Sequence, residues 1–123
     1  MSEKYNVDSR IIKDLIAKIK GGYFDVHLND DNKGKNEQFR VDWRCGYEKI
    51  KAMLPFLETG DYRYTVENLD SRLKVEELHI FKHTYGLSSP HNRAADVCVY
   101  VKLGIIEGKH LLVVSFHEDE PEL

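Results

Sequence analysis

Cysteine is almost absent from this sequence, which holds only Cys45 and Cys98. Two thiols so far apart cannot form a zinc site by themselves, and they read as reduced thiols without a chemical role. Long apolar runs are missing as well. None approaches the roughly 20 residues that cross a bilayer. The opening Met1-Ser-Glu-Lys-Tyr-Asn also lacks the basic-then-apolar pattern of a signal peptide. A cytoplasmic protein with no membrane partner is expected. Positive charge is not in excess either. The formal net charge of −3 argues against a protein whose whole surface holds nucleic acid, because that affinity comes from Lys and Arg facing phosphates. Local basic patches remain compatible with it. Much of the acidity lies in residues 118–123, Glu-Asp-Glu-Pro-Glu-Leu, which are expected to form a flexible tail fraying in solvent.

What is present reads as one domain over residues 1–123. The chain is 41% apolar and 32% charged, a globular composition with enough length to bury a modest core. Ile11, Ile12, Leu15, Ile16 and Ile19 fall at helical spacing behind Asp8 or Ser9 and ahead of Gly21-Gly22, which predicts an amphipathic helix to about Lys20. Residues 23–28 have strand composition, and the polar stretch 29–38 reads as a loop. Lys33-Gly34-Lys35 lacks the spacing of a P-loop. A second helix is expected from about Asp42 or Gly46 to Leu57, ended or kinked by Pro55, with Trp43 in or near the core.

Tyr62-Arg-Tyr-Thr-Val66 predicts a strand, residues 67–72 a turn, and residues 73–85 a second strand able to pair with the first. Alternation in the second strand sets Leu78, Ile80 and Lys82 on one face and His79, Phe81, His83 and Tyr85 on the other. Residues 86–93 are a loop. The fold class is therefore α+β, with an N-terminal helix and a second helix packed on one face of a mostly antiparallel β-sheet.

Residues 96–118 read as a hairpin. Val97, Val99, Val101 and Leu103 alternate with Cys98, Tyr100, Lys102 and Gly104. In the next strand Leu112, Val114 and Phe116 alternate with Leu111, Val113, Ser115 and His117. A turn at Glu107-Gly108 sets Val99 opposite Phe116, Val101 opposite Val114 and Leu103 opposite Leu112. A turn at Gly108-Lys109 preserves the same facing sets. Either register brings Tyr100 near Ser115 and His117, with Lys102 one pleat away, so a phenol, an imidazole and an amine share one sheet face.

Val99-Tyr-Val-Lys-Leu103, a short turn, Leu112-Val-Val-Ser-Phe116 and a charged tail resemble the C-terminal hairpin of MqsR-type mRNA interferase toxins. The earlier order of elements is similar too, with Asp61-Tyr62 opening a strand and Tyr85 closing one. The resemblance implies a RelE-like α+β architecture. It also implies metal-independent, sequence-selective cleavage of mRNA without a cofactor, and a cognate antitoxin protein as partner. By position, the family's hairpin Tyr falls on Tyr100, its basic residue after Ser-Phe on His117, its strand Lys on Arg63 and its Gln near Lys82 or His83. The acidic net charge departs from the basic character of these toxins.

Cleavage of RNA through its own 2′-hydroxyl needs a base, an acid and a cation for the phosphorane charge. His117, Tyr100, Lys82 and Arg63 are the candidate catalytic residues. His117 fits base or acid, Tyr100 fits orientation or proton donation, and Arg63 and Lys82 fit phosphate binding. Lys102, His83, Arg93 and Ser115 are candidate substrate-binding residues. His79 and His83, four apart in a strand, lack a carboxylate set to complete a metal site. The competing class is a non-enzymatic binding module, a phage accessory or regulatory protein that holds a protein partner on its sheet face or through Tyr62 and Tyr64.

Overall fold

The structure, a computed structural model, describes residues 3–28, 33–90, 93–107 and 109–119. Helix α1 spans Ser9–Lys20 as its periodicity predicts, with the Asp8 carboxylate accepting from the Arg10 N–H at its start. Strand β1 (Phe24–Val26), α2 (Lys33–Trp43), α3 (Tyr47–Met53) and a 3₁₀ turn at Leu54–Phe56 follow. The α-helix stops just ahead of Pro55, which cannot donate to the preceding turn. After a second 3₁₀ turn at Thr59–Asp61 come β2 (Tyr62–Glu67), β3 (Glu77–Leu87), β4 (Ala95–Ile106) and β5 (His110–Glu118). Within the described residues these strands form a sheet in the order β1-β5-β4-β3-β2, antiparallel except for the β1–β5 pair.

All three helices lie against one sheet face. Ile12, Leu15, Ile16 and Ile19 of α1, Phe39 and Trp43 of α2, and Ile50 and Met53 of α3 share a core with Phe81, Tyr85, Val97, Val99, Val101 and Leu103. The α+β architecture, with helices on one face of a mostly antiparallel sheet, is thus observed.

The stretch 29–38 expected as a loop is in part helical, since α2 begins at Lys33, while residues 29–32 lie outside the described residues. The expected helix to Leu57 is correspondingly split, with Arg44 between α2 and α3. Tertiary burial accounts for the difference. Of the α2 residues whose burial is described, only Asn36, Phe39 and Trp43 are buried, at i, i+3 and i+7. The Phe39 ring meets Phe116 edge-on at 5.6 Å, and burying such a side chain contributes about 1.5–3 kcal/mol.

The hairpin contains a β-bulge at Val114. From Val99↔Glu118 to Lys102↔Ser115 the register is that of the Gly108-Lys109 alternative, and from Leu103↔Val113 inward it shifts by one residue. The bulge overturns the expected faces of β5. Phe116, Val113 and Leu111 all join the helix-side core, whereas Val114 and Leu112 turn to the other side with Val75, Leu78 and Leu73. Asn36 anchors this irregular stretch, donating through Nδ2 to the Val114 carbonyl (3.3 Å) and accepting from the Phe116 N–H (2.9 Å).

The second apolar cluster covers part of the outer face. It comes close because Gly104 has no side chain: a Cβ there would meet the Glu77 carbonyl oxygen at 2.6 Å and the Val75 Cβ at 2.9 Å. At the sheet's end, Asp119 is not frayed. Its N–H donates to the Cys98 carbonyl at 2.8 Å, and residues 120–123 lie outside the described residues. Among the described residues no helix is long and apolar enough to cross a membrane.

Candidate functional site

Register places three of the expected residues in a line. Lys82 of β3 lies opposite Tyr100 of β4, and Tyr100 lies opposite His117 of β5. Side chains in one cross-strand row point to the same face, so these three share the face opposite the one that carries Val99, Val101 and Phe116. The Tyr100 and His117 rings are stacked, with centroids 4.8 Å apart and planes 16° from parallel. The neighbouring row is Ile80, Lys102 and Ser115. Lys102 is therefore one pleat from Tyr100, and Ser115 is wholly buried.

His117 is only 5% exposed. Its Nδ1 lies 2.8 Å from the Glu118 carbonyl oxygen. A carbonyl can only accept, so Nδ1–H donates, and in the neutral ring the lone pair sits on Nε2. The residue borders a cleft of about 320 Å³ whose other walls include Lys35, Gln38 and Asp42 of α2, together with Glu118 and Asp119. Asp119 links cleft and row, with its carboxylate 3.2 Å from the Lys82 ammonium. Both side chains are less than a third exposed.

The remaining expected residues are not brought to this row. Arg63 sits at a bulge of the edge strand β2, and its guanidinium donates to the carbonyls of Gly60 and Tyr62. His83 faces the helix side, where Nδ1–H donates to Asp61 at 2.7 Å and the ring meets Tyr85 edge-on. Of the alternatives Lys82 and His83, only Lys82 shares a face with Tyr100. Arg93 is exposed ahead of β4, roughly 17 Å or more along the strand from Tyr100. His79 is buried against Thr65, whose hydroxyl lies 2.8 Å from Nδ1, and burial holds its pKa below the ordinary value.

Asp119 and the α2 residues of the cleft were not among the expected site residues. The acidic tail composition hid the first, and the weak apolar pattern of α2 hid the others. Compared with known protein families, curated proteins and solved structures, the chain matches none.

Proposed function

We propose that this protein is an endoribonuclease that cleaves mRNA, the toxin half of a toxin–antitoxin pair acting in the cytoplasm. The observation that carries the reading is the cross-strand row Lys82, Tyr100, His117, which gathers a cation, a phenol and an imidazole on one face beside a cleft. In the reaction a base takes the 2′-hydroxyl proton, the 2′-oxygen bonds to phosphorus, and the bond to the 5′-oxygen breaks as an acid returns a proton to it. His117 is the proton-transferring group, Tyr100 sets its ring plane by stacking, and Lys82 meets the phosphate charge once Asp119 yields it. Independence from metal, and an antitoxin as partner, follow from the resemblance of the hairpin to MqsR-type toxins.

Incubation of the purified protein with several mRNAs in the presence of a chelator tests this. Wild type is expected to leave 2′,3′-cyclic phosphate ends, with His117→Ala reduced by about a hundredfold or more. Folded wild type that cuts none of them, or His117→Ala as active as wild type, overturns the proposal.

A second reading, a binding module for a protein partner, is favoured by the Lys82–Asp119 pair and the burial of His117. In that case the row is a rigid recognition face. Wild type would then capture the product of a neighbouring gene in a stoichiometric complex and cut no RNA.

A further inference from the structure

Strand β2 lies at the end of the sheet beyond β3, so its outer side is an edge. Such edges offer a row of backbone N–H and C=O groups to any second strand. Here residues 4–7 cover it. The Tyr5 N–H donates to the Thr65 carbonyl at 2.9 Å and the Thr65 N–H to the Tyr5 carbonyl at 2.7 Å, a single antiparallel bridge. Beside it the Lys4 ammonium lies 4.4 Å from the centre of the Tyr64 ring, the Tyr5 phenol donates to Glu77, and the Val7 N–H donates to the Tyr62 hydroxyl at 3.2 Å. Lys4, Tyr5 and Asn6 are exposed. A cover held by one bridge and by exposed side chains opens at low cost.

The strand beneath this cover is self-complementary. The two bonds to Tyr5 show that the backbone groups of Thr65 point off the edge. An antiparallel copy of β2 related by a twofold axis at Thr65 sets Thr65 against Thr65, Tyr64 against Val66 and Arg63 against Glu67, the last two pairs each occurring twice. Aromatic against β-branched and cation against carboxylate are both stabilising cross-strand pairs. Arg63 and Glu67 are exposed. The bulge at Arg63 changes the angle of its side chain but not its place two residues from the axis, and its bonds to the Gly60 and Tyr62 carbonyls are solvent-exposed. Glu67 adds an independent observation. Within the sheet it lies directly opposite Glu77, a like-charge pair that a cation from an incoming strand relieves.

We propose that residues 4–7 are a strap over a self-association edge: once it lifts, β2 pairs with β2 of a second copy of this chain, antiparallel about Thr65. Strap and second copy use the same backbone groups of Thr65, so each excludes the other. The contact is one strand wide on either side, which makes the dimer weak and reversible. The edge is separate from the row of Lys82, Tyr100 and His117 and does not rest on the ribonuclease reading.

Sedimentation velocity of the full-length chain over a concentration series tests this. Wild type is expected to stay mostly monomeric. Tyr5→Pro, which removes both the N–H given to Thr65 and the phenol held by Glu77, is expected to self-associate about tenfold more tightly or better. In that background Arg63→Glu and Glu67→Arg each set like charges across the axis and are expected to return the chain to monomer, whereas the two together restore the dimer. A peptide of residues 3–8 in excess is expected to dissociate the dimer by taking the place of the strap. The double substitution Lys4→Ala with Tyr5→Ala loosens the strap without a proline, and serves if Tyr5→Pro loses its native circular dichroism. Natively folded but monomeric loosened chains, a wild type as dimeric as they are, or a dimer indifferent to both charge reversals overturns the proposal.

Discussion

Tyr100 and His117 face each other across adjacent strands, with their rings stacked at 4.8 Å. The contact exists because the bulge at Val114 shifts the register only nearer the turn, leaving the outer half of the hairpin regular. Aromatic stacking of this kind contributes about 0.5–1.5 kcal/mol beyond area burial. A double-mutant cycle with Tyr100→Ala and His117→Ala, read by urea unfolding, is expected to return a coupling energy in that range. A value near zero would show that the two rings are merely adjacent.

Asp119 holds the Lys82 ammonium at 3.2 Å in a partly exposed pair. Pairs of this type contribute about 0–1 kcal/mol to stability, so Asp119→Asn is expected to leave the melting temperature nearly unchanged. The same substitution releases the cation. Binding of a short RNA, measured by fluorescence anisotropy at low salt, is expected to tighten several-fold and to lose that gain as salt screens the charge. RNA affinity equal to wild type would remove Lys82 from the substrate contacts.

Asn36 serves two buried backbone groups of β5, the Val114 carbonyl and the Phe116 N–H. Leaving a buried polar group unmatched costs about 1–3 kcal/mol, so Asn36→Ala is expected to destabilise the fold by about 2–4 kcal/mol in chemical denaturation. Asn36→Asp keeps the acceptor but sets a carboxylate against a carbonyl, and is expected to be at least as damaging. If Asn36→Ala cost less than about 1 kcal/mol, the bulge would not depend on this side chain.

His79 is buried, and its pKa lies below the ordinary 6.5 chiefly because burial penalises the charged ring. Below pH 6.5 the unfolded chain therefore takes up a proton at this site that the folded chain resists. Stability from the neutral ring is complete above that value and declines as the pH falls toward the lower, folded pKa. Wild type is expected to lose unfolding free energy relative to His79→Gln between pH 7 and pH 5. A difference constant across that range would mean that His79 does not titrate differently on folding.

The expectations that held depend on local periodicity. Ile12, Leu15, Ile16 and Ile19 mark one helix face whatever lies beyond them, and Asp8 caps it through a hydrogen bond two residues away. The pairing of β2 with β3, and the grouping of Tyr100 with His117, also follow from period-two alternation. By contrast, α2 carries few apolar residues, and its order depends on Phe39 meeting Phe116 and Asn36 meeting β5, partners nearly eighty residues away.

The sequence by itself determined the α+β class, the amphipathic first helix, the two faces of β3 and β4, and the presence of Tyr100 and His117 on one hairpin face. Each of these is a matter of spacing along a single element. Tertiary structure decided the rest. The bulge turned Val113 and Phe116 to the same side, β3 contributed Lys82 but directed His83 to the opposite face, and the end of β5 laid Asp119 on Lys82. Register across strands, and the satisfaction of charges and backbone groups between distant segments, are set by packing energies that no local pattern encodes.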